Sequence, residues 1–308
     1  MGSTNYFFRL VLAILCFSPI WAAEQKLVSE KEKFEILTGF QGTFNEQEKV
    51  FKAVFPRIDN KISVDQTMLD PFMGLTSWAA FTQIEDRSFM VMGDFVLFQD
   101  EVNPVMSGFL NNGIHVTALH NHFFFDTPKV YFMHIEGEGA LNTLAAAVKM
   151  ALETVKEIRE KKSSLPTSFG NAPISNDSSI SLAPLEGVFR IKGQSKAGMA
   201  KFIFGRTVKM GGITVGAEMG VNTWAAFAGS DENALVDGDF AVLEGELQPV
   251  LQTLRSGKIN IVAIHNHMIL EQPRMLFLHY WGTGRAEDLA KTIKQALEKL
   301  TQPIAKGE

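Results

Sequence analysis

The chain has 308 residues, of which 46% are hydrophobic and 20% charged, and its 29 basic and 34 acidic side chains leave a formal charge of −5. Those values exclude a disordered chain, which is poorer in apolar residues and richer in charge. No long basic run is available to neutralise a phosphate backbone, so nucleic acid is not an expected partner. The length suits two domains, each able to bury a core of its own.

The chain opens with Arg9, an apolar run over about 10–20, and then Trp21, Ala22 and Ala23 before the polar Glu24 and Gln25. A basic start, a short apolar centre and small residues at its end form the pattern of a secretory signal, expected over 1–23. The run is shorter than the ~20 apolar residues of a membrane span, so no span is expected after cleavage. The expected location is the periplasm or the exterior. Cys16, the only cysteine, lies inside the run behind Leu15, which is not the small residue that a lipoprotein signal uses. A mature chain without cysteine has no disulfide and no thiolate ligand.

A first repeat is expected over 24–162. Apolar runs at 36–44, 50–55 and 62–68 read as a loop-rich β region, and 78–84 with 89–98 as a hairpin around Glu85-Asp86-Arg87-Ser88. A short helix follows over 101–110, with Glu101 at its positive end and Pro104 in its first turn. Strands are expected at 114–124 and 130–136. Leu141, Leu144, Ala145, Val148, Ala151, Leu152, Val155 and Ile158 then recur at the spacing of one helical face. The segment 163–184 is rich in serine, proline and aspartate or asparagine and reads as a linker.

The second repeat, expected over 185–308, restates the first. Phe40-Gln41-Gly42-Thr43-Phe44 pairs with Leu185-Glu186-Gly187-Val188-Phe189, and Trp78-Ala79-Ala80-Phe81 with Trp224-Ala225-Ala226-Phe227. Gly93-Asp94-Phe95 recurs as Gly238-Asp239-Phe240, and Glu101-Val102-Asn103-Pro104-Val105 as Glu246-Leu247-Gln248-Pro249-Val250. Matches that keep their order over so long a stretch denote duplication. The expected fold is therefore α+β, a tandem duplication forming an intramolecular pseudo-dimer. Each repeat has a β-rich sheet, a short helix, a histidine-bearing hairpin and a long closing helix.

Six of the seven histidines fall into two triads of one spacing: His120, His122 and His134, then His265, His267 and His279. Alternation along a strand puts the first two of each triad on one face. A turn centred on Asp126 to Pro128 places His134 opposite His120, with Ala118 and Phe132 beside them. Three neutral imidazoles converging on one patch suit Zn²⁺ or another divalent transition metal. Asp126, Glu101, Glu271 and Glu246 are the candidate carboxylates for a fourth ligand or a general base. Asp94 and Asp239, each after a glycine at a strand start, are read as turn or capping residues, and His115 as a surface residue. Hydrogen-bonded structural histidines, duplicated with their ancestor, would give the same pattern.

Gly113, His120, His122 and Asp126 look like the first motif of the cupins, but with a longer glycine spacing and helices where further strands would follow. The mature chain as a whole resembles the LppY/LpqO family of exported bacterial proteins. The first copy carries the resemblance in Gly93-Asp94-Phe95-Val96-Leu97, Glu101 to Val105, Gly113, the Ala118-Leu119-His120-Asn121-His122 stretch, Pro128, Tyr131, His134, Gly137 and Gly139. In the second, Gly238-Asp239-Phe240, Glu246, Pro249, His265-Asn266-His267, Pro273, His279, Gly282 and Gly284 carry it. The resemblance implies export and a domain of unknown function, with no catalytic residues to carry over. Three functions remain open: binding of a metal or small ligand through the triads, metal-dependent hydrolysis of an envelope component, or a structural module without an active site.

Overall fold

The computed structural model describes residues 28–162 and 164–301, together with Met1. The signal expected over 1–23 otherwise lies outside the described residues, as does Cys16. The first copy runs α1 (Glu30–Thr38), β1 (Thr43–Asn45), β2 (Val50–Pro56), β3 (Ser63–Val64), β4 (Thr67–Met68), β5 (Thr76–Glu85), β6 (Ser88–Phe98), α2 (Gln99–Asn111), β7 (His115–His120), β8 (Asp126–Thr127), β9 (Val130–Gly139) and α3 (Leu141–Lys161). The second runs α4 (Leu182–Phe189), β10 (Gln194–Lys196), β11 (Met199–Gly205), β12 (Val208–Met210), β13 (Ile213–Val215), β14 (Asn222–Gly229), β15 (Ala234–Leu243), α5 (Glu244–Ser256), β16 (Asn260–His265), β17 (Met275–Gly284) and α6 (Ala286–Leu297).

Helix α1 replaces the first part of the β region expected at 36–44. Ser29 Oγ accepts from the Glu32 amide at 3.2 Å, the Glu32 carboxylate takes the Ser29 amide at 2.9 Å, and Gly39 at φ +68° stops the helix. Only Phe34 and Thr38 of this helix are buried, which leaves little periodicity to read. Its counterpart α4 likewise takes over the end of the expected linker. Glu35 Oε1 accepts from the Gly42 amide at 3.3 Å, and Glu186 Oε1 from the Gly193 amide at 3.1 Å. Glu35 therefore matches Glu186, and the pairing of 40–44 with 185–189 is displaced. The loops between this point and the histidines differ in length between the copies.

Twelve strands form one sheet in the order β1-β2-β5-β6-β9-β7-β16-β17-β15-β14-β11-β10. The copies thus share a sheet instead of packing as two separate ones, and they meet where β7 lies beside β16. Helices α1 to α6 pack with one face of this sheet in a common core, in which Phe95, Phe109, Met133 and Val148 of the first copy correspond to Phe240, Leu254, Leu278 and Ile293 of the second. The other face carries two small apolar clusters, Ile62, Leu75, Val96, Phe98, Val130 and Phe132 in the first copy, and Val208, Val215, Val221, Ala241, Met275 and Phe277 in the second.

At the seam the antiparallel strands register only at Leu119 with Ile264. Irregularities between Val116 and Ala118, and between Ile261 and Ala263, interrupt the two strands. Side-chain amides from the opposite copy take up the backbone groups there. Asn103 of α2 accepts from the Ile261 amide at 2.9 Å and donates to its carbonyl at 3.3 Å. Gln248 of α5 accepts from the Val116 amide at 3.0 Å and donates to its carbonyl at 2.9 Å. Buried backbone groups require partners, and these two residues mimic the missing strand in a reciprocal clasp.

Candidate metal centre

The two triads occupy the sheet face away from the helices. Leu119 and Met133 point into the helical core, so their neighbours His120 and His134 point out, and the same alternation governs His265 and His279. The face follows the spacing, but the register does not. His134 stands opposite Ala118 and His120 opposite Phe132, two residues from the expected pairing. The turn is wider than a tight hairpin: β7 ends at His120 rather than near residue 124, Phe125 has φ +57°, and the Thr127–Pro128 bond is cis. His120 and His134 are diagonal neighbours and still meet, with Nε2 atoms 3.0 Å apart.

The neighbouring strands supply what the hairpin lacks. Strand β6 pairs with β9 so that Asp94 lies opposite His134, and Trp78 of β5 lies opposite Asp94. The second copy repeats the row as Trp224, Asp239 and His279. Asp94 and Asp239 are therefore mid-strand residues facing the histidines, which corrects the reading of them as turn or capping residues. The preceding glycine faces the other way. A Cβ on Gly238 would lie 2.3 Å from the Tyr280 ring and 2.4 Å from the Trp224 carbonyl, which explains the Gly-Asp pair without a turn.

In the second copy His267 Nε2 lies 3.1 Å from His265 Nε2 and 3.1 Å from Asp239 Oδ2. Ligand atoms of Asp239, His265 and His267 all lie within 4.8 Å of one another. His279 Nδ1 is 3.7 Å from Asp239 Oδ1, its ring 4.5 Å from that of His265. The His267 ring is stacked on Phe277 at 3.6 Å, a dry wall for one side of the cluster. In the first copy His120 Nδ1 lies 3.1 Å from the Asn121 carbonyl oxygen. That oxygen only accepts, so Nδ1 carries the proton and Nε2 a lone pair. His122 stacks on Phe132 at 4.0 Å, with its ring 5.6 Å from His120.

Electrostatics favour a cation. Burial raises the carboxyl of Asp239 above its ordinary range despite the opposing pull of His279 and His267, and raises that of Asp94 despite His134, His120 and His122. Burial, with His279 and His267 adding to it, lowers His265 to about 4, so it is a neutral imidazole near pH 7. Asp94 Oδ1, Asp239 Oδ1 and His265 Nδ1 are buried without a hydrogen-bond partner among the described residues. Buried carboxylate and imidazole atoms left open in this way fit a divalent cation.

The four candidate carboxylates lie elsewhere. Asp126 Oδ2 accepts from the Val130 amide at 2.8 Å and Glu271 Oε1 from the Met275 amide at 3.0 Å, each closing its wide turn. Glu101 is fully buried, takes Arg57 through both oxygens at 2.6 Å, and accepts from the Phe98 amide at 2.8 Å. Glu246 pairs with Arg206 at 2.5 Å and accepts from Thr301 at 2.7 Å. Among the described residues none of the four makes an ion pair or hydrogen bond with a histidine of the triads. They hold turns and helix starts in place. His115 is exposed, 3.8 Å from Glu136.

No curated protein matches the chain. Among solved structures, a trimeric bacterial microcompartment shell protein PduB aligns over 83% of this chain and 89% of its own at 10% identity and a TM-score of 0.20, too slight a similarity to inform on fold or function. A family match covers most of the chain, over residues 32–154 and again over 183–299. The protein belongs to the family described as Domain of Unknown Function (DUF1259), of which it carries two copies.

Proposed function

We propose that this is an exported protein of the LppY/LpqO kind that binds a divalent transition metal, with the second-copy cluster of Asp239, His265 and His267 as its principal site. The observation that carries this reading is a buried carboxylate with an unpartnered oxygen, directly beside imidazoles whose ligand atoms already lie within 4.8 Å of one another. Imidazole and carboxylate donors without thiolate suit Zn²⁺ best and accept Mn²⁺, Fe²⁺, Ni²⁺ or Cu²⁺. His279 is placed to join as a further ligand. The first copy offers Asp94, His120, His122 and His134 as a second, weaker site. An N-terminal stretch of signal-like composition supports the periplasm or exterior as the place of action.

Binding is favoured over hydrolysis because Asp126 and Glu271 each close a turn through one oxygen, Glu101 and Glu246 pair with arginines, and among the described residues none of the four bonds to a histidine of the triads. It is favoured over a purely structural role because the open oxygens of Asp94 and Asp239 lie on strands paired directly with the histidines, where several imidazoles converge on each carboxylate. The test is the metal content of the purified protein after incubation with each of the five ions and gel filtration. One or two bound ions, lost in the His265→Ala/His267→Ala variant, support the reading. No retained ion from any of the five removes it.

A further inference from the structure

The seam leaves a gap at one end. Beyond the Leu119–Ile264 pair, β7 has only His120 left, whereas β16 extends back to Asn260. The opening between β9 and β16 lies beside Tyr131 and Ile261, and the linker crosses it, with the Phe169 and Trp281 ring centroids 5.7 Å apart. The linker is fixed on both sides of this point. Leu165 packs on the cluster of Val96 and Phe98, and the Asn233 side-chain amide donates to the Pro173 carbonyl at 3.2 Å. Beneath it is a cavity of about 320 Å³, walled by Trp281 and Phe169 on its apolar side and by Gln99, Asp100, Thr167, Ser168, Asn171 and Thr283 on its polar side.

Asp100 gives this cavity its chemistry. The residue is 7% exposed, its Oδ2 is bonded to Arg159 with Lys162 at 3.9 Å, and its Oδ1 has no hydrogen-bond partner among the described residues. A buried acceptor wants a donor. Its charge is already matched by Arg159 and Lys162, so a donor that reaches this oxygen is better a neutral hydroxyl than another cation. Among the described residues no lysine or arginine lines the wall, which disfavours an anion. A ligand with a flat apolar face for an aromatic ring and hydroxyls around its edge meets all of these groups.

We infer that the cavity is a saccharide-binding site for a neutral mono- or disaccharide. Its volume is at the small end of the ~300–1,000 Å³ typical of ligand pockets. Trp281 provides the stacking face, Asp100 and the amide and hydroxyl side chains provide the edge contacts, and the linker provides the roof. The site is single although the protein is duplicated. The positions that match Trp281 and Thr283 in the first copy are Glu136 and Glu138, both exposed, and the linker crosses the sheet only once. No residue of the metal centre lines this cavity.

Saturation-transfer NMR on the full chain, followed by calorimetry, tests it with glucose, galactose, mannose, N-acetylglucosamine, maltose, cellobiose and chitobiose. At least one of these is expected to bind with a Kd of about 1 mM or below, and Trp281→Ala to weaken it about tenfold. Ser168→Ala weakens it by a smaller factor, Glu136→Ala leaves it unchanged, and addition of EDTA leaves it unchanged. Failure of all seven sugars, or binding that survives Trp281→Ala at full strength, overturns the site. Binding abolished by EDTA would place the sugar on the metal centre and overturns it equally, while leaving the metal reading intact.

Discussion

In the second copy His267 reaches the aspartate of the neighbouring strand, at 3.1 Å, whereas the matching His122 of the first copy has ring contacts and, among the described residues, no hydrogen bond. Both rings lie on a phenylalanine, at 3.6 and 4.0 Å, so stacking is not what separates them. The next side chain is. Phe123 packs edge-on against His122, with centroids 5.6 Å apart, and Met268 stands in its place in the second copy. A flexible thioether leaves the imidazole free to turn where a rigid ring holds it. The carboxylates differ as well, since Asp239 is more deeply buried than Asp94. A shared spacing thus yields one assembled cluster and one that still has to be drawn together, at a cost in affinity.

Removing the second cluster should have the largest effect. His265→Ala/His267→Ala is expected to weaken the tighter metal-binding step by ~100-fold or more, beyond the 10–100-fold typical of losing a supporting residue, and His120→Ala/His122→Ala to spare that step. Equal losses from the two variants would end the comparison. Asp239→Asn should cost ~10–100-fold in affinity by calorimetry, and Asp94→Asn less, because Asp239 already sits against its histidine. The exchange of Phe123→Met with Met268→Phe sharpens the comparison: the first change strengthens the weak step severalfold and the second weakens the strong one, both read from the same titration.

The smallest expected effect is on stability. His265 is lowered to about 4 in the folded chain from about 6.5 unfolded, so the unfolded chain binds more protons between these values. Its contribution is complete above about pH 6.5 and is lost as the pH falls towards 4. The group is partly exposed, and screening reduces the loss to about 1 kcal/mol. Urea unfolding of the metal-free protein against His265→Gln across that window checks it. The raised carboxyl of Asp239 acts with the opposite sign, favouring the fold as it protonates, which is why the comparison needs the variant rather than the native curve alone.

Strand alternation and a constant repeat were enough to place six histidines on one face, because both depend only on neighbours along the chain. Asp94 and Asp239 were not legible as partners. They reach the histidines across a strand pairing, β6 with β9 and β15 with β17, that depends on the whole sheet order. A Gly-Asp pair also reads locally as a turn until Tyr280 is seen to occupy the space a side chain at Gly238 would need. Helix α1 carries little periodic signal because so few of its residues face the core. The hairpin register is not legible because a wide turn and a strand irregularity each shift it without a signature in hydrophobic periodicity. The seam is the hardest feature to foresee, since Asn103 and Gln248 read as ordinary helix residues until each is found clasping the other copy's strand.

The most direct measurement is a calorimetric titration of the purified, metal-stripped protein with Zn²⁺ near pH 7.5, repeated with the two double-histidine variants. Two steps are expected from the native protein, with the tighter one absent from His265→Ala/His267→Ala and retained in His120→Ala/His122→Ala. No binding heat in the native protein, or a tight step that persists when His265 and His267 are both removed, would contradict the assignment of the metal centre.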